Sequence, residues 1–71
     1  MYRHYYVNHN QTMNPDLHHE VHTREHADQL GIRNTLYVGY FVNEIEAVAK
    51  AKKYYYDADG CAICCSEAHR G

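Results

Sequence analysis

The stretch LYVGYFVNEIEAVAKAKKYYY, residues 36–56, joins the clearest strand pattern of the chain to its clearest helix pattern. Both faces of residues 36–42 are apolar, which is typical of a central strand. Gly39 interrupts this strand and indicates a bulge or the close approach of another element. Asn43 is a good N-cap, and apolar residues then recur at helical spacing, which predicts a helix over residues 43–55. The stretch therefore predicts a sheet that is covered by one main helix.

Two more strands are predicted upstream of this stretch. Arg3–Asn8 is rich in tyrosine and valine with partial alternation, and Leu17–Thr23 shows a weaker version of the same period-two pattern. The polar loop between them holds the only proline, and its turn is expected at residues 14–16. Residues 23–30 are predicted to form a helical turn that ends at Gly31, because glycine is favoured just beyond the end of a helix.

The predicted fold class is α+β, with residues 1–71 as one small domain. A small antiparallel sheet of about three strands is packed by the main helix, and a turn at residues 57–60 leads into a cysteine-rich turn or short helix. In a chain of 71 residues the burial of apolar surface roughly balances the loss of conformational entropy. We therefore expect a further source of stability, which is a metal ion, a disulfide or a partner subunit.

The last part of the chain holds all three cysteines, at positions 61, 64 and 65. The spacing of Cys61 and Cys64 lets two sulfur atoms point into one site from a tight turn, as in structural zinc sites. Cys65 and His69 are four residues apart, so they would share one face of a short helix. The odd number of thiols favours metal binding or redox chemistry over a static disulfide.

A pair of upstream histidines completes the candidate metal site. His22 and His26 are also four residues apart, and they precede the main helix. The candidate zinc ligands are His22, His26, Cys61, Cys64, Cys65 and His69. The preferred tetrahedral set is His26 (or His22) with Cys61, Cys64 and His69, and Cys65 competes with Cys64 for its place.

Three functions fit this pattern. The first is a binding or interaction module with a structural Cys/His zinc site. The second is a metal-free domain that forms a homodimer through its tyrosines, because tyrosine contributes a large contact area with a polar tip. The third is thiol redox chemistry at Cys61 and Cys64, since a C-x-x-C pair at a helix start can have a lowered thiol pKa. An enzymatic role stays open but is not favoured, because a domain this small rarely encloses a substrate pocket.

The charge and hydropathy of the chain limit its partners. With a formal net charge of −2, the chain lacks the basic character typical of nucleic-acid binders. No apolar run reaches the roughly 18 residues that a membrane helix needs, so no membrane partner is expected. The first residues also lack the apolar segment of a signal peptide, and we therefore expect a cytoplasmic protein.

The chain ends in the motif D-G-C-x2-C-C-x3-H, whose last residue is His69. Together with several upstream positions, this motif resembles the pattern of a group of small bacterial proteins of unknown function. The resemblance covers about residues 19–69, and the C-terminal motif is its most specific part. More distantly, the chain is similar to the zinc-binding module of the Ada DNA-repair protein. The resemblance implies that His26, which stands where the group carries cysteine, lies close to the C-terminal cysteines. The other matching positions are Val21, His22, Leu30, Asn34, residues 37–41, Glu46, Ala47 and Ala51.

Overall fold

A computed structural model of the chain describes residues 1–13 and 17–69, which form five strands, two α-helices and one 3₁₀ turn. The predicted α+β class is confirmed. The turn predicted at residues 14–16 lies outside the described residues. The elements in chain order are β1 (Arg3–Asn8), β2 (Thr12–Met13), β3 (Leu17–Thr23), α1 (Arg24–Leu30), β4 (Thr35–Phe41), α2 (Glu44–Ala51), β5 (Ala58–Gly60) and the 3₁₀ turn (Ser66–Ala68).

The sheet has the strand order β4-β1-β3-β5, and β2 also pairs with the beginning of β3. β1 runs antiparallel to both β3 and β4, whereas β5 runs parallel to β3. Val21 pairs with Val7 in β1 and with Gly60 in β5, which makes β3 an interior strand. The described sheet is therefore mixed and has four main strands, where the sequence predicted an antiparallel sheet of about three.

The additional strand β5 lies where the sequence predicted a turn, at residues 57–60. Its three residues, Ala58–Gly60, include no β-branched or aromatic side chain, so they carry no strand signal of their own. Tertiary packing sets their conformation instead, since Ala58 and Gly60 are buried against β3. Just beyond the strand, the Cys61 N–H donates a hydrogen bond to the Val21 carbonyl at 3.0 Å. β5 thereby places the segment that begins at Cys61 beside β3, an interior strand of the sheet.

The hydrophobic core lies between the sheet and α2. Ala47 and Ala51 are fully buried, and these small side chains let α2 lie close to the strands. The Asn43 side chain caps α2 by accepting a hydrogen bond from the Glu46 N–H at 2.9 Å, as predicted. The helix ends at Ala51, earlier than the predicted residue 55. The core residues are Tyr5, Val7, Val21, Val38, Ala47, Val48, Ala51, Ala58, Cys61, Cys65 and Ala68.

β4 is an edge strand among the described residues, because it pairs only with β1. The prediction of a central strand from its two apolar faces is therefore wrong. Its outward aromatic side chains, Tyr37 and Tyr40, stay about half exposed and pack on aromatic neighbours rather than under another layer. The register shifts opposite Gly39, so the predicted bulge is present. Gly39 has φ of 150°, and a Cβ there would come within 2.8 Å of the Phe41 ring.

α1 is a short helix that follows β3 without a loop. Thr23 caps it by accepting a hydrogen bond from the His26 N–H at 3.2 Å, and Gly31 ends it in the left-handed conformation with φ of 71°. The predicted helical turn and its glycine stop are confirmed. Within the described part of the chain, neither α1 nor α2 has the length and apolarity that crossing a membrane requires.

Candidate metal centre

His22 and His26 approach each other because the chain changes from strand to helix between them. His22 lies near the end of β3 and is fully buried, whereas His26 lies in the first turn of α1. The cap at Thr23 turns the backbone between the two residues, and the ring centroids are 5.6 Å apart. Although the two residues are four positions apart, they do not lie on one face of a single helix. His22 lies on a strand, and His26 lies on the helix that follows it.

Cys61 and Cys64 are held by a tight turn directly after β5. The Cys65 N–H donates a hydrogen bond to the Cys61 carbonyl at 2.9 Å, which closes the turn. The Ile63 N–H points at the Cys61 sulfur at 3.5 Å. A backbone N–H directed at a cysteine sulfur favours the thiolate over the neutral thiol, because it stabilises the negative charge. The turn thus presents two sulfur atoms to the histidines of β3 and α1.

The four side chains His22, His26, Cys61 and Cys64 bring one ligand atom each to within 4.8 Å of all the others. The Cys61 sulfur lies 3.6 Å from Nδ1 of His26, and the Cys64 sulfur lies 3.8 Å from Nδ1 of His22. Around a tetrahedral zinc ion, with Zn–S of about 2.3 Å and Zn–N of about 2.0–2.1 Å, neighbouring ligand atoms are about 3.4–3.8 Å apart. The cluster therefore fits a tetrahedral His₂Cys₂ site after small movements of the side chains.

Cys65 and His69, the other two predicted ligands, lie outside this group of four. Cys65 is fully buried in the hydrophobic core, although its sulfur is 3.7 Å from that of Cys64. His69 Nδ1 lies 2.9 Å from the Gly60 carbonyl and 3.7 Å from Oδ2 of Asp59. The structure thus brings both His22 and His26 to the cysteine turn. The ligand set preferred from the sequence contained only one of these two histidines, together with His69.

The three thiols differ in their acidity because of their surroundings. The pKa of Cys64 is lowered, first by its hydrogen bond with the Cys65 thiol and then by contacts with His22 and His26. The pKa of Cys65 is raised, because its thiol shares that hydrogen bond and is buried. Burial also raises the pKa of Cys61. Among the three cysteines, Cys64 is therefore the one whose pKa favours the thiolate, and the thiolate is the form of cysteine that binds metal ions.

A buried carboxylate beside the cluster was missed in the sequence. Glu20 lies two residues before His22 on β3, and Oε1 of its carboxylate is 3.2 Å from Nε2 of His22. The pattern His18-x-Glu20-x-His22 places all three side chains on one face of a strand. That alternation was the available signal, but glutamate is rarely buried, so the pattern by itself does not indicate a buried carboxylate.

Gly60 is the glycine on which the position of the cysteine turn depends. A Cβ there would lie 2.6 Å from the Cys65 carbonyl oxygen and 3.0 Å from backbone and side-chain carbons of Ala68. We expect Gly60→Ala to lower the free energy of unfolding by about 1–3 kcal/mol, as overpacking typically does. In a domain of this size the melting temperature would fall by roughly 5–20 °C. Thermal unfolding followed by circular dichroism measures this.

Gly31→Ala is the control for this prediction. Gly31 has positive φ, but a Cβ at this position would meet no other atom within 4 Å. We expect only the backbone strain of about 1 kcal/mol, because no neighbouring atoms are displaced. A Gly60→Ala variant as stable as the wild-type protein would show that the cysteine turn can move away from the new methyl group at little cost.

No protein-family model, curated protein or solved structure matches this chain. The resemblance to the small bacterial proteins and to the Ada module therefore stays a prediction. The arrangement of His22, His26, Cys61 and Cys64 is the observation from which a function can be argued.

Proposed function

We propose that this domain binds one zinc ion through His22, His26, Cys61 and Cys64, and that the ion has a structural role in a binding or interaction module. The observation that carries the proposal is the convergence of four ligand atoms to within 4.8 Å of one another. Two nitrogen and two sulfur donors in a tetrahedral arrangement are typical of zinc. Magnesium and calcium prefer oxygen ligands, so this donor set does not suit them.

Two features support a structural ion over a catalytic one. Four protein ligands complete a tetrahedral shell, whereas catalytic zinc sites keep one position open for water or substrate. The ligands also come from segments far apart in the chain, since Cys61 lies 35 positions after His26. An ion held by both segments would tie β3 and α1 to the turn after β5. A small domain with a limited hydrophobic core gains stability from such a link.

The first test is the metal content of the wild-type protein. We expect native mass spectrometry of protein purified without chelator to show one zinc ion per chain. After exchange with cobalt(II), we expect the visible absorption of a tetrahedral complex and a near-ultraviolet band from sulfur-to-cobalt charge transfer. A protein that takes up neither ion, or a cobalt spectrum typical of octahedral oxygen ligation, would contradict the proposal.

A homodimer is the second candidate function, and an exposed aromatic stripe favours it. The stripe runs across β1 and β4, with Tyr2 stacked on Tyr40 at 5.1 Å between ring centroids and His4 tilted against Tyr40 at 4.6 Å. Tyr37 extends it, and its hydroxyl lies 2.8 Å from Nδ1 of His4. Aromatic residues with polar tips are enriched at protein interfaces. The stripe also borders the edge strand β4, which a second copy would extend by strand pairing.

Light scattering after size-exclusion chromatography tests this candidate. We expect a dimer at high protein concentration and a shift to monomer in Tyr40→Lys, because the lysine places a charge in the centre of the stripe. Tyr56→Lys is the matched control, since Tyr56 is 92% exposed and takes no part in the ring contacts of the stripe. A monomeric wild-type protein, or the same change in both variants, would remove the candidate.

Thiol redox chemistry at Cys61 and Cys64 stays a third prediction. The lowered pKa of Cys64, which its hydrogen bond with Cys65 mainly causes, suits a nucleophilic thiol as well as a metal ligand. The two functions use the same sulfur atoms, so the metal content separates them. A protein that is isolated without metal and with an oxidised Cys61–Cys64 pair would favour the redox function.

A further inference from the structure

The two nitrogen atoms of the His22 ring face different surroundings. Nδ1 lies 3.8 Å from the Cys64 sulfur, so it is the atom that points into the cluster. Nε2 is on the opposite side of the ring and is buried. A neutral imidazole carries one proton, and only the nitrogen without it can bind a metal ion. If His22 is a ligand, its Nε2 must therefore hold the proton inside the protein.

Glu20 offers the acceptor that this buried N–H needs. Oε1 of Glu20 is 3.2 Å from Nε2 of His22, and the residue is only 8% exposed. The N–H direction does not yet satisfy hydrogen-bond geometry, so the contact is close but misaligned. A rotation of the ring would be needed to align the N–H with the carboxylate oxygen. The second carboxylate oxygen, Oε2, lies 3.6 Å from Nε2 of His18, which helps to hold the carboxylate in place.

We propose that Glu20 is a positioning residue that fixes the orientation and the tautomer of His22 for metal binding through Nδ1. The inference rests on the proposed zinc site. Alternate residues of a strand point to the same face, so β3 itself holds the carboxylate beside the ring. With a proton on Nδ1 instead, His22 could not bind the ion through that atom, and the unprotonated Nε2 would have no N–H to donate to the carboxylate. A carboxylate behind a metal-binding histidine typically contributes about 10–100-fold to metal affinity.

Substitution of Glu20 by glutamine tests the inference while nearly preserving the shape of the side chain. We expect Glu20→Gln to bind cobalt(II) about 10–100-fold more weakly than the wild-type protein, measured by competition with a chromophoric chelator. The remaining complex should keep the tetrahedral visible spectrum, because all four ligands are still present. Glu25→Gln is the matched control, since it removes the same charge from an exposed position on α1. We expect its affinity to equal that of the wild type.

The outcomes separate this inference from the proposed function. A wild-type chain that binds no cobalt contradicts the zinc site itself. If the wild-type protein and Glu20→Gln bind cobalt with equal affinity, the role of Glu20 is overturned and the zinc site is left intact. An equal loss of affinity in Glu25→Gln also overturns it, because the effect would then be one of overall charge.

A second measurement on the wild-type protein covers the case in which Glu20→Gln does not fold. Long-range nitrogen–proton correlation in the zinc-bound protein reports which imidazole nitrogen carries the proton. We expect the His22 ring to be protonated at Nε2 and bound to zinc through Nδ1, with the Nε2 proton protected from exchange. Zinc bound through Nε2 of His22 would overturn the inference.

Discussion

Cys64→Ser is expected to abolish the tetrahedral cobalt spectrum and to weaken zinc binding by about 100- to 1,000-fold. Structural zinc sites have apparent binding free energies of about 10–16 kcal/mol. If four ligands share this equally, one of them contributes about 2.5–4 kcal/mol, which corresponds to that range of affinities. Cys64 is the cysteine whose pKa is lowered, chiefly through its hydrogen bond with Cys65, so its loss removes the thiolate best prepared for the ion. Chelator competition measures the affinity.

Cys65→Ala is the matched control for this prediction. Cys65 is adjacent in sequence and its sulfur is 3.7 Å from that of Cys64, but it packs in the core outside the group of four. We expect this variant to keep the tetrahedral cobalt spectrum and to lose some stability through the smaller side chain. It should bind the ion more weakly than the wild type but more tightly than Cys64→Ser, because Cys64 loses a hydrogen bond and keeps its sulfur. If Cys65→Ala lost metal binding while Cys64→Ser retained it, Cys65 would be the ligand and the assigned set would be wrong.

Removal of the metal is expected to lower the melting temperature by about 15–30 °C. An ion that binds only the folded state stabilises it by about 4 kcal/mol when its free concentration is 1,000 times the dissociation constant. For a domain of this size, each kcal/mol corresponds to roughly 4–8 °C. The cluster joins β3, α1 and the turn after β5, so its loss should affect the whole domain. Thermal unfolding with excess zinc and with excess chelator measures the difference.

The chain with Cys64→Ser provides the control for metal removal. Its melting temperature should not depend on zinc at concentrations that saturate the wild-type protein. Identical unfolding curves for the wild type with zinc and with chelator would mean that the ion, if bound, does not stabilise the fold. The structural role would then be contradicted, even if one zinc per chain were found.

The parts of the fold that the sequence predicts are those with a local cause. β1 and β3 follow from period-two alternation, and their bounds agree with the predicted residues. The Asn43 cap and the Gly31 stop also depend only on neighbouring residues. β5 has no such local signal, because a three-residue parallel strand of small and acidic residues is formed by its partner strand. The edge position of β4 is likewise a property of the whole sheet.

The candidate site shows the same division between local and long-range information. The spacing of Cys61 and Cys64 identifies a tight turn with two sulfur donors, and the structure places both in the cluster. The choice among the histidines depends on which face of β3 meets that turn. Parallel pairing of β5 with β3 brings the turn to His22, whereas His69 contacts the Gly60 carbonyl instead. The spacing of cysteines and histidines along the sequence does not show that β5 pairs with β3.

The separation of the ligands along the chain has a consequence for the order of folding. In the unfolded chain the ligands form two incomplete pairs, His22 with His26 and Cys61 with Cys64, and Cys61 lies 35 positions after His26. Closing a loop of that length has an entropic cost of roughly (3/2)RT ln n, or about 3 kcal/mol. Docking of β5 on β3 closes the same loop, so we expect four-coordinate binding and strand docking to occur together. The appearance of the tetrahedral cobalt spectrum would then report that step in a refolding experiment.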